Sequence, residues 1–292
     1  KFPLKCVGIP KTVDNDLPYT DCSPGFGSVA KYIATSTLEA GLDVKSMAET
    51  STKVFILEVM GRHAGWIAAA SCLAATKPGD PPHIILLPEV PFEKNKFIAQ
   101  VKKTVKEQGY CVIVASEGTQ TKNGKFLADS GLTDAFGHKQ LGGVAPVLAG
   151  MISKIGLKNH WAVADYLQRS ARHLASKTDL DQAYAVGEHA VKLAIAGNTA
   201  LMPIIKRTSD SPYKWKISTA PLKNVANIEK TMPKKFISKN GFEITQAGKT
   251  YLSPLIKGEA PIKYVNGLPD IAELKKIKVK TVSYTHLTLP TI

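Results

Sequence analysis

The chain has 292 residues, of which 44% are hydrophobic and 21% are charged. This is an ordinary globular composition, long enough for one large domain or two smaller ones. No apolar run reaches the ~18 residues of a membrane-spanning helix, and the opening residues carry no signal-peptide pattern. We therefore expect no membrane partner, and we expect the fold to begin before the first residue of this sequence.

The chain is basic, with 38 Lys and Arg against 24 Asp and Glu and a net charge of +14. Such an excess suits nucleic acid, phosphorylated metabolites or a solvated surface. No nucleic-acid-binding motif accompanies it, and aromatic residues make up only 7% of the chain. We therefore expect no nucleic-acid partner and interpret the lysine-rich C-terminal part as a solvated face.

Four scattered cysteines, Cys6, Cys22, Cys72 and Cys111, form no C-x-x-C pair. Cys6, Cys72 and Cys111 lie in apolar segments. Thiols in such segments are typical of reduced core residues, which predicts a cytoplasmic protein. The spacing also argues against a zinc site.

Along the chain, apolar runs typical of buried strands alternate with segments typical of helices. The expected strands are Leu4–Ile9, Lys53–Val59, His83–Leu87, Tyr110–Ala115 and His160–Ala164. The expected helices are Gly25–Ala48, Ala64–Thr76, Lys94–Gln108, Val144–Ile155 and Asp179–Ala196. The glycine-rich segment Gly118–Gly143 predicts a loop or a small hairpin. This alternation indicates an α/β fold with a mainly parallel sheet.

Polar segments follow all five expected strands. In α/β folds, ligands bind at the carboxyl ends of the strands. The segments are PKTVDNDL, MGRHAGW, PEVPF, SEG and DYLQRSARH, in chain order. Because they recur at the same edge of the expected sheet, they predict one shared site.

The first of these segments carries two carboxylates. Asp14 and Asp16 are two positions apart, so in an extended segment they point the same way while Asn15 points the opposite way. Two carboxylates suit a general base with a metal or charge partner, although a turn rich in Asp and Asn gives the same pattern. Lys11 and Thr12 add a cation and a hydroxyl donor, which favours phosphoryl transfer.

The later segments offer candidate ligand contacts. Arg62 suits a phosphate or sugar contact or a carboxylate partner, and Gly61 lets the backbone approach a ligand. Glu89 suits sugar hydroxyls, or a helix cap or surface position. Tyr166 and Arg169 lie near further cations, an arrangement that suits a sugar phosphate or the charged face of a helix.

The order of the motifs GIPKTVDNDL, KVFILEVMGRHAGW, PEVPF and YLQRSARH resembles the phosphofructokinase family, and above all its pyrophosphate-dependent branch. The resemblance runs from Phe2 to about Lys276. It implies a phosphofructokinase-like α/β fold with two Rossmann-like lobes and mainly parallel sheets, the first lobe being incomplete. We expect this domain over residues 1–276. Residues 277–292 are expected to be a non-native tail, because VSYTHLTLPTI looks like translated sequencing adapter.

The resemblance implies roles for single residues. Asp14 looks like the proton acceptor for a sugar 1-hydroxyl, and Thr12 and Asp16 like contacts to substrate, phosphate or magnesium. Lys11 stands where ATP-dependent relatives usually have glycine and the pyrophosphate branch has lysine. Its ammonium would neutralise a leaving phosphate and occupy the room that a nucleotide's inner phosphates need.

The implied substrate contacts form a larger set. They are Thr12, Val13, Asp14, Met60, Gly61, Arg62, Glu89, Tyr166, Leu167, Gln168 and Arg169. Lys53 and His160 fall where relatives hold the 6-phosphate of the substrate bound by a neighbouring subunit. The family therefore implies a homodimer or homotetramer with shared sites.

The implied activity is reversible, Mg²⁺-dependent transfer of a phosphoryl group from pyrophosphate to the 1-hydroxyl of fructose 6-phosphate, a step of glycolysis. The family's glycine-rich donor loop and its G-G-D-[DG] motif, which carries a magnesium ligand, are not in this sequence. We therefore expect no main metal ligand here and an inactive chain when it is alone. The alternatives are an ATP-dependent 6-phosphofructokinase and a non-catalytic, sugar-phosphate-binding regulatory subunit.

Overall fold

The computed structural model describes residues 4–133, 139–141 and 143–277. The strands are β1 Val54–Val59, β2 Ile84–Leu86, β3 Cys111–Ser116, β4 Asp129–Thr133, β5 Lys139–Leu141, β6 Asn159–Val163, β7 Leu201–Asp210, β8 Tyr213–Pro221, β9 Tyr264–Val265 and β10 Leu268–Pro269. The α-helices are α1 Phe26–Met47, α2 Trp66–Ala70, α3 Lys94–Gln108, α4 Val144–Ser153, α5 Asp165–Ser170, α6 Lys177–Ile195, α7 Leu222–Val225 and α8 Gln246–Leu252. Short 3₁₀ helices span Ser71–Ala74, Arg172–Leu174, Lys234–Phe236 and Ser253–Ile256.

The chain divides into two units, Lys1–Pro261 and Ile262–Ile292. Within the described part of the second unit, β9 and β10 pair antiparallel, and Lys263 and Asp270 form an ion pair of 3.2 Å. The expected boundary at residue 277 stays a prediction, since residues 278–292 lie outside the described part of the chain. No helix among the described residues is long and apolar enough to cross a membrane.

One parallel sheet of four strands, in the order β2-β3-β1-β6, organises the first unit. Alternate residues of β1 face two different cores, as the period of a strand requires. Val54 and Ile56 contact one core, to which α3 and α4 contribute. Leu57 and Val59 contact the other, to which α1 and α2 contribute. The strands β1, β2 and β3 are almost entirely buried, as strands covered on both faces are, whereas most residues of β6, at one edge of the sheet, are exposed.

The fold class expected from the sequence is confirmed, and most expected elements lie within a few residues of their observed bounds. The segment Ala64–Thr76 forms α2 and a 3₁₀ turn rather than one helix. The loop or hairpin expected over Gly118–Gly143 contains the antiparallel pair β4–β5, with residues 134–138 and 142 outside the described chain. The described residues contain one parallel sheet and three antiparallel pairs of strands, whereas the family resemblance implied two lobes with mainly parallel sheets.

The expected buried strand Leu4–Ile9 is wrong. Leu4 and Ile9 are 73% and 56% exposed, and the segment makes a single parallel bridge, between Val7 and Leu201. Its backbone pairs with the start of β7, whereas the buried strands of the parallel sheet have covered faces on both sides. Cys6 is consequently exposed rather than part of a core.

Cys22, Cys72 and Cys111 are buried, and all four cysteines are free thiols.

The basic C-terminal part also contains an element that the sequence did not predict. The strands β7 and β8 pair antiparallel as a long hairpin, whose first residues are buried and whose tip is exposed.

The N-terminus of α1 is capped by a side chain from α6. Asp179 Oδ1 accepts a hydrogen bond from Gly25 N (2.8 Å), and its Oδ2 accepts from Ser28 N (3.0 Å) and Ser28 Oγ (2.6 Å). A carboxylate at this end also complements the helix dipole. Burial raises the pKa of Asp179, while these hydrogen bonds act in the opposite direction. The cap therefore ties α6 to the helix that follows the Asp14 loop.

We expect Asp179→Ala to lower the free energy of unfolding by about 2–3 kcal/mol, because it leaves buried N–H and hydroxyl groups without an acceptor. Urea unfolding followed by circular dichroism measures this change. Asp181→Ala is the matched control, because Asp181 is half-exposed and pairs only with Lys177 one turn away. We expect less than ~1 kcal/mol for that variant. Equal losses in the two variants would contradict the capping role.

Candidate active site

The loop that carries Asp14 is held by its own side chains. Thr12 Oγ1 accepts a hydrogen bond from Asp14 N (3.0 Å) and donates one to Asp14 Oδ2 (3.3 Å). A hydroxyl that bonds to the backbone two residues later is a common turn device. This turn places the Asp14 carboxylate next to the hydroxyl of Thr12.

Asn15 anchors the same loop from the opposite side. It is fully buried and has a left-handed backbone with φ 59°. Its Nδ2 donates to Tyr251 Oη (3.0 Å), while its Oδ1 accepts from Ser23 N (3.0 Å) and Lys230 Nζ (3.4 Å). Asn15 is turned inward, and Asp14 and Asp16 both line an open cavity. The segment is a turn rather than the extended segment that was expected, and Lys11, Thr12 and Val13 line the cavity as well.

The loop after β1 depends on two glycines. Gly61 has φ +124°, and a Cβ on it would lie 2.6 Å from the carbonyl oxygen of Ala64. A Cβ on Gly118, in the loop after β3, would lie 1.9 Å from the carbonyl oxygen of Arg62. No larger residue fits at either position without moving the backbone. The two loops can therefore pack together at the carboxyl edge of the sheet, which puts Arg62 and Glu117 beside the Asp14 loop.

The cavity at this edge has a volume of about 830 Å³, within the range of small-molecule sites. Its lining is Lys11, Thr12, Val13, Asp14, Asp16, Met60, Arg62, His63, Ala64, Glu117, Arg169, Ser170 and Glu229. The cavity therefore contains all four predicted catalytic residues. It also contains four further predicted substrate contacts, which are Val13, Met60, Arg62 and Arg169.

The carboxylate of Asp14 has a raised pKa. Burial and the neighbouring charge of Asp16 raise its pKa, against the hydrogen bond from Thr12 and the charges of Lys11 and Arg62. Burial disfavours the charged form of a carboxylate, and a like charge nearby has the same effect. A carboxylate with a raised pKa is a stronger base, which suits proton abstraction.

Arg62 offers an unused hydrogen-bond donor. Its Nε is buried and has no hydrogen-bond partner within the described part of the protein. Arg62 lines the same cavity as Asp14 and Glu117, and its charge partly offsets the burial that raises the pKa of both carboxyl groups. An anionic ligand would satisfy this donor, because an unpaired buried N–H is costly.

Several cavity residues were not singled out from the sequence. Burial raises the pKa of Glu117, which directly follows β3. Its position after a strand was the signal that could have identified it. His63 and Glu229 meet across the cavity, with 2.6 Å between His63 Nδ1 and Glu229 Oε1. Glu229 has no such signal, because it lies far along the chain in an irregular segment.

The four residues of the Tyr-Leu-Gln-Arg motif, residues 166–169, have different surroundings. Gln168 is buried and accepts a hydrogen bond from Met60 N (3.3 Å), so it joins the two loops rather than lining the cavity. The Tyr166 ring lies 4.1 Å from the guanidinium of Arg169, which lines the cavity. Tyr166 and Leu167 are 62% and 65% exposed and do not line the cavity. Their predicted substrate contacts stay predictions.

Lys53 and His160 lie away from the cavity. Lys53 precedes the first residue of β1, and its Nζ donates to the carbonyl oxygen of Ala48. His160 is the second residue of β6 and is exposed. Both positions are near the amino ends of their strands. Their expected role toward a neighbouring subunit stays a prediction.

Glu89 also lies outside the cavity lining. Its Oε1 accepts hydrogen bonds from Gly65 N (3.0 Å) and Met232 N (3.0 Å), and its Oε2 accepts from Gly65 N (3.2 Å). Both carboxylate oxygens are thus used to join the loop before α2 to a C-terminal segment. The predicted sugar contact of Glu89 stays a prediction.

The fold and the cavity define an α/β protein whose candidate site places the cations Lys11, Arg62 and Arg169 beside the carboxylates of Asp14, Asp16, Glu117 and Glu229. The model of the phosphofructokinase family, described as "Phosphofructokinase", matches residues 1–194. The chain belongs to the phosphofructokinase family.

Three proteins that are similar to this chain have pyrophosphate in their names. A pyrophosphate–fructose 6-phosphate 1-phosphotransferase from Halomonas elongata is 64% identical over 280 residues, covering 96% of this chain and 67% of that protein. A protein of the same name from Xanthomonas campestris is 58% identical, covering 95% and 67%. The crystal structure of a pyrophosphate-dependent phosphofructokinase from Marinobacter aquaeolei superposes with a TM-score of 0.87 at 57% identity, covering 96% and 67%. The chain thus spans about two thirds of the length of these relatives.

We expect Glu89→Gln to lower the free energy of unfolding by about 1–3 kcal/mol and to leave the dissociation constant of fructose 6-phosphate nearly unchanged. The neutral amide replaces an ionised acceptor and puts an NH₂ group against a backbone N–H. Thermal unfolding and calorimetric titration measure the two effects. Glu93→Gln, at an exposed position before α3, is the control. Weaker sugar binding at unchanged stability would instead support the predicted sugar contact.

Proposed function

We propose that this chain supplies the proton acceptor and the sugar-phosphate site of a pyrophosphate-dependent phosphofructokinase. The reaction is reversible transfer of a phosphoryl group from pyrophosphate to the 1-hydroxyl of fructose 6-phosphate, giving fructose 1,6-bisphosphate. The observation that carries this proposal is that Lys11, Thr12, Asp14 and Asp16 all line one cavity with Arg62. The names of the relatives that are 57–64% identical support the choice of donor and acceptor.

Asp14 takes the proton of the sugar 1-hydroxyl in this mechanism. Its raised pKa makes it a better acceptor than an ordinary aspartate, while the charges of Lys11 and Arg62 favour its charged form. The hydroxyl oxygen that loses this proton attacks the terminal phosphorus of pyrophosphate, and inorganic phosphate leaves. Catalysis in such transfers is mainly positioning and charge stabilisation.

The cations of the cavity serve the phosphates. Arg62 has an unpaired Nε that suits a phosphate oxygen, and Arg169 enters the cavity from α5 with its planar fork held against Tyr166. Lys11 is exposed beside Asp14, where its ammonium can stabilise the charge of the departing phosphate. These assignments divide the cavity into a sugar-phosphate side and a donor side.

Magnesium fits the residues of this loop. Burial and, after it, the charge of Asp16 raise the pKa of Asp14, and a divalent cation would relieve the repulsion between the two carboxylates. Mg²⁺ usually takes one or two carboxylates together with substrate phosphates. When bound it would neutralise phosphate charge. The described residues contain no group of three or more His, Cys, Asp or Glu that could hold a metal alone.

We further infer a cytoplasmic homodimer or homotetramer. The four free thiols support a reducing compartment. The family resemblance supports shared sites, to which Lys53 and His160 would contribute. The same resemblance supports a phosphofructokinase domain over residues 1–276 and a non-native tail over 277–292.

A comparison of phosphoryl donors tests the proposed function. The full-length protein without residues 282–292 should form fructose 1,6-bisphosphate with Mg-pyrophosphate and not with Mg-ATP. Lys11→Gly should lower the pyrophosphate-dependent kcat/KM by about 100-fold, the scale of losing one charge-stabilising group. Lys122→Gly, in an exposed loop outside the cavity, is the matched control.

Activity with ATP alone would overturn the choice of donor and keep the sugar site. Activity with neither donor would favour the regulatory-subunit alternative. Undiminished use of pyrophosphate by Lys11→Gly would exclude the role given to Lys11.

We expect Asp14→Asn to lower kcat by at least ~100-fold, because it removes the base and keeps the shape of the side chain. The KM for fructose 6-phosphate should change little, since the cations that hold the phosphate remain. Steady-state kinetics with Mg-pyrophosphate measures both. Asp43→Asn, on the exposed side of α1, is the control. A variant that keeps the original kcat would rule out Asp14 as the proton acceptor.

A further inference from the structure

Residues 229–232 form a short segment, which we call the strap, that joins three loops of the site. Lys230 N donates to the carbonyl oxygen of Asp16 (2.6 Å), and the Lys230 carbonyl accepts from Trp66 Nε1 (2.9 Å). Met232 N donates to Glu89 (3.0 Å). The strap therefore holds the Asp14 loop against the loops that follow β1 and β2.

The side chain of Lys230 is directed at one of these loops. Its Nζ donates to the carbonyl oxygens of Thr20 (3.0 Å) and Asp21 (3.0 Å) and contacts Asn15 Oδ1 (3.4 Å). All three acceptors belong to the segment from residue 15 to residue 21. An ammonium has three donors, so the hydrogen-bonding capacity of Lys230 is used entirely on the segment that carries Asp16.

The surroundings make this arrangement costly. The ammonium lies 5.3 Å from the centroid of the Trp66 ring, and burial lowers the pKa of Lys230 to about 8. Asp21 is paired with Arg207 at 3.0 Å, so its carboxylate already has a cationic partner. Within the described part of the chain, Lys230 forms no ion pair, and all three of its side-chain hydrogen bonds go to residues 15–21. Placing a cation here is costly, and its hydrogen bonds act on this one segment.

We propose that Lys230 is a positioning residue for phosphoryl transfer, which sets the direction of Asp14 and Asp16 by holding Asn15 and the backbone of residues 20–21. The inference rests on the proposed function. Lys230 does not line the cavity, so we expect it not to contact substrate. It acts through Asn15, which lies between the two cavity-lining carboxylates and is held inward by this lysine, Ser23 N and Tyr251.

If Lys230 is a positioning residue, removing its ammonium should lower kcat and leave KM nearly unchanged. In the full-length protein, Lys230→Met keeps the length of the side chain and its contact with Trp66 but removes the three hydrogen bonds. We expect kcat with Mg-pyrophosphate to fall by about 10- to 100-fold, the scale of a small misplacement of a catalytic group. The KM for fructose 6-phosphate should stay within about threefold, because Arg62 and Arg169 are untouched. Lys223→Met, at an exposed lysine of α7, should change neither quantity.

A second variant keeps the test decisive if Lys230→Met does not fold. Tyr251→Phe removes the hydroxyl that accepts from Asn15 and donates to the Asp21 carbonyl (2.5 Å), while the ring keeps its contact with Trp66. We expect a loss of kcat by about 3- to 10-fold, again with little change in KM. Tyr184→Phe, on an exposed face of α6, is the control.

The outcomes distinguish a failure of the proposed function from a failure of the positioning role of Lys230. A parent protein without phosphotransfer activity would overturn the proposed function itself. An active parent whose Lys230 or Tyr251 variant folds and keeps the original kcat would overturn the positioning role alone. A rise in KM as large as the fall in kcat would also overturn it, because it would place Lys230 in substrate binding.

Discussion

The site depends on one inward-facing amide. Asn15 is fully buried, and its left-handed backbone, with φ 59°, is one that asparagine adopts more readily than most residues. Its Nδ2 donates to a tyrosine hydroxyl, and its Oδ1 accepts from a backbone N–H and a lysine ammonium, so both ends of the amide are held. The backbone turns at residues 13–15, and with the Asn15 amide held inward, Asp14 and Asp16 on either side of it line the cavity.

The parallel sheet supplies the second half of the site. The strands β1, β2 and β3 are largely buried, and the polar side chains of the site follow the ends of β1 and β3. At that edge Gly61 and Gly118 allow two loops to approach more closely than any larger residue permits. Arg62 is thereby held near Asp14 and Glu117, with a buried donor free for a ligand. Base, cation and cavity thus follow from one sheet edge and one anchored loop.

Much of this arrangement could be predicted from local patterns. Continuous apolar runs identified β1, β2 and β3, because strands covered on both faces leave that signature. The strand β6 was also expected, although most of its residues are exposed. Asp14 and Asp16 were expected to face one side and Asn15 the other, but from an extended segment where the structure has a turn. Leu4–Ile9 was misjudged because an apolar run does not reveal whether a covering layer exists, and this segment meets only the start of β7.

Other features depend on contacts between distant parts of the chain. Glu89 is a residue type that often binds sugar hydroxyls, but its carboxylate accepts hydrogen bonds from Gly65 N and Met232 N. No local sequence pattern encodes these contacts. Lys230 lies 215 positions from Asn15, in a segment without regular secondary structure, and its role follows only from the folded arrangement. Long-range hydrogen bonds of this kind are set by the tertiary fold, so sequence periodicity carries no trace of them.

A double-mutant cycle between Asn15→Ala and Asp14→Asn tests most directly whether the anchor acts through the base. In the full-length protein, Asn15→Ala alone should lower kcat with Mg-pyrophosphate by about 10- to 100-fold, because the carboxylates lose their fixed direction. In the Asp14→Asn background the same substitution should cost less than about threefold, since there is no longer a base to position. Equal losses in both backgrounds would show that Asn15 acts independently of Asp14 and would contradict the central claim.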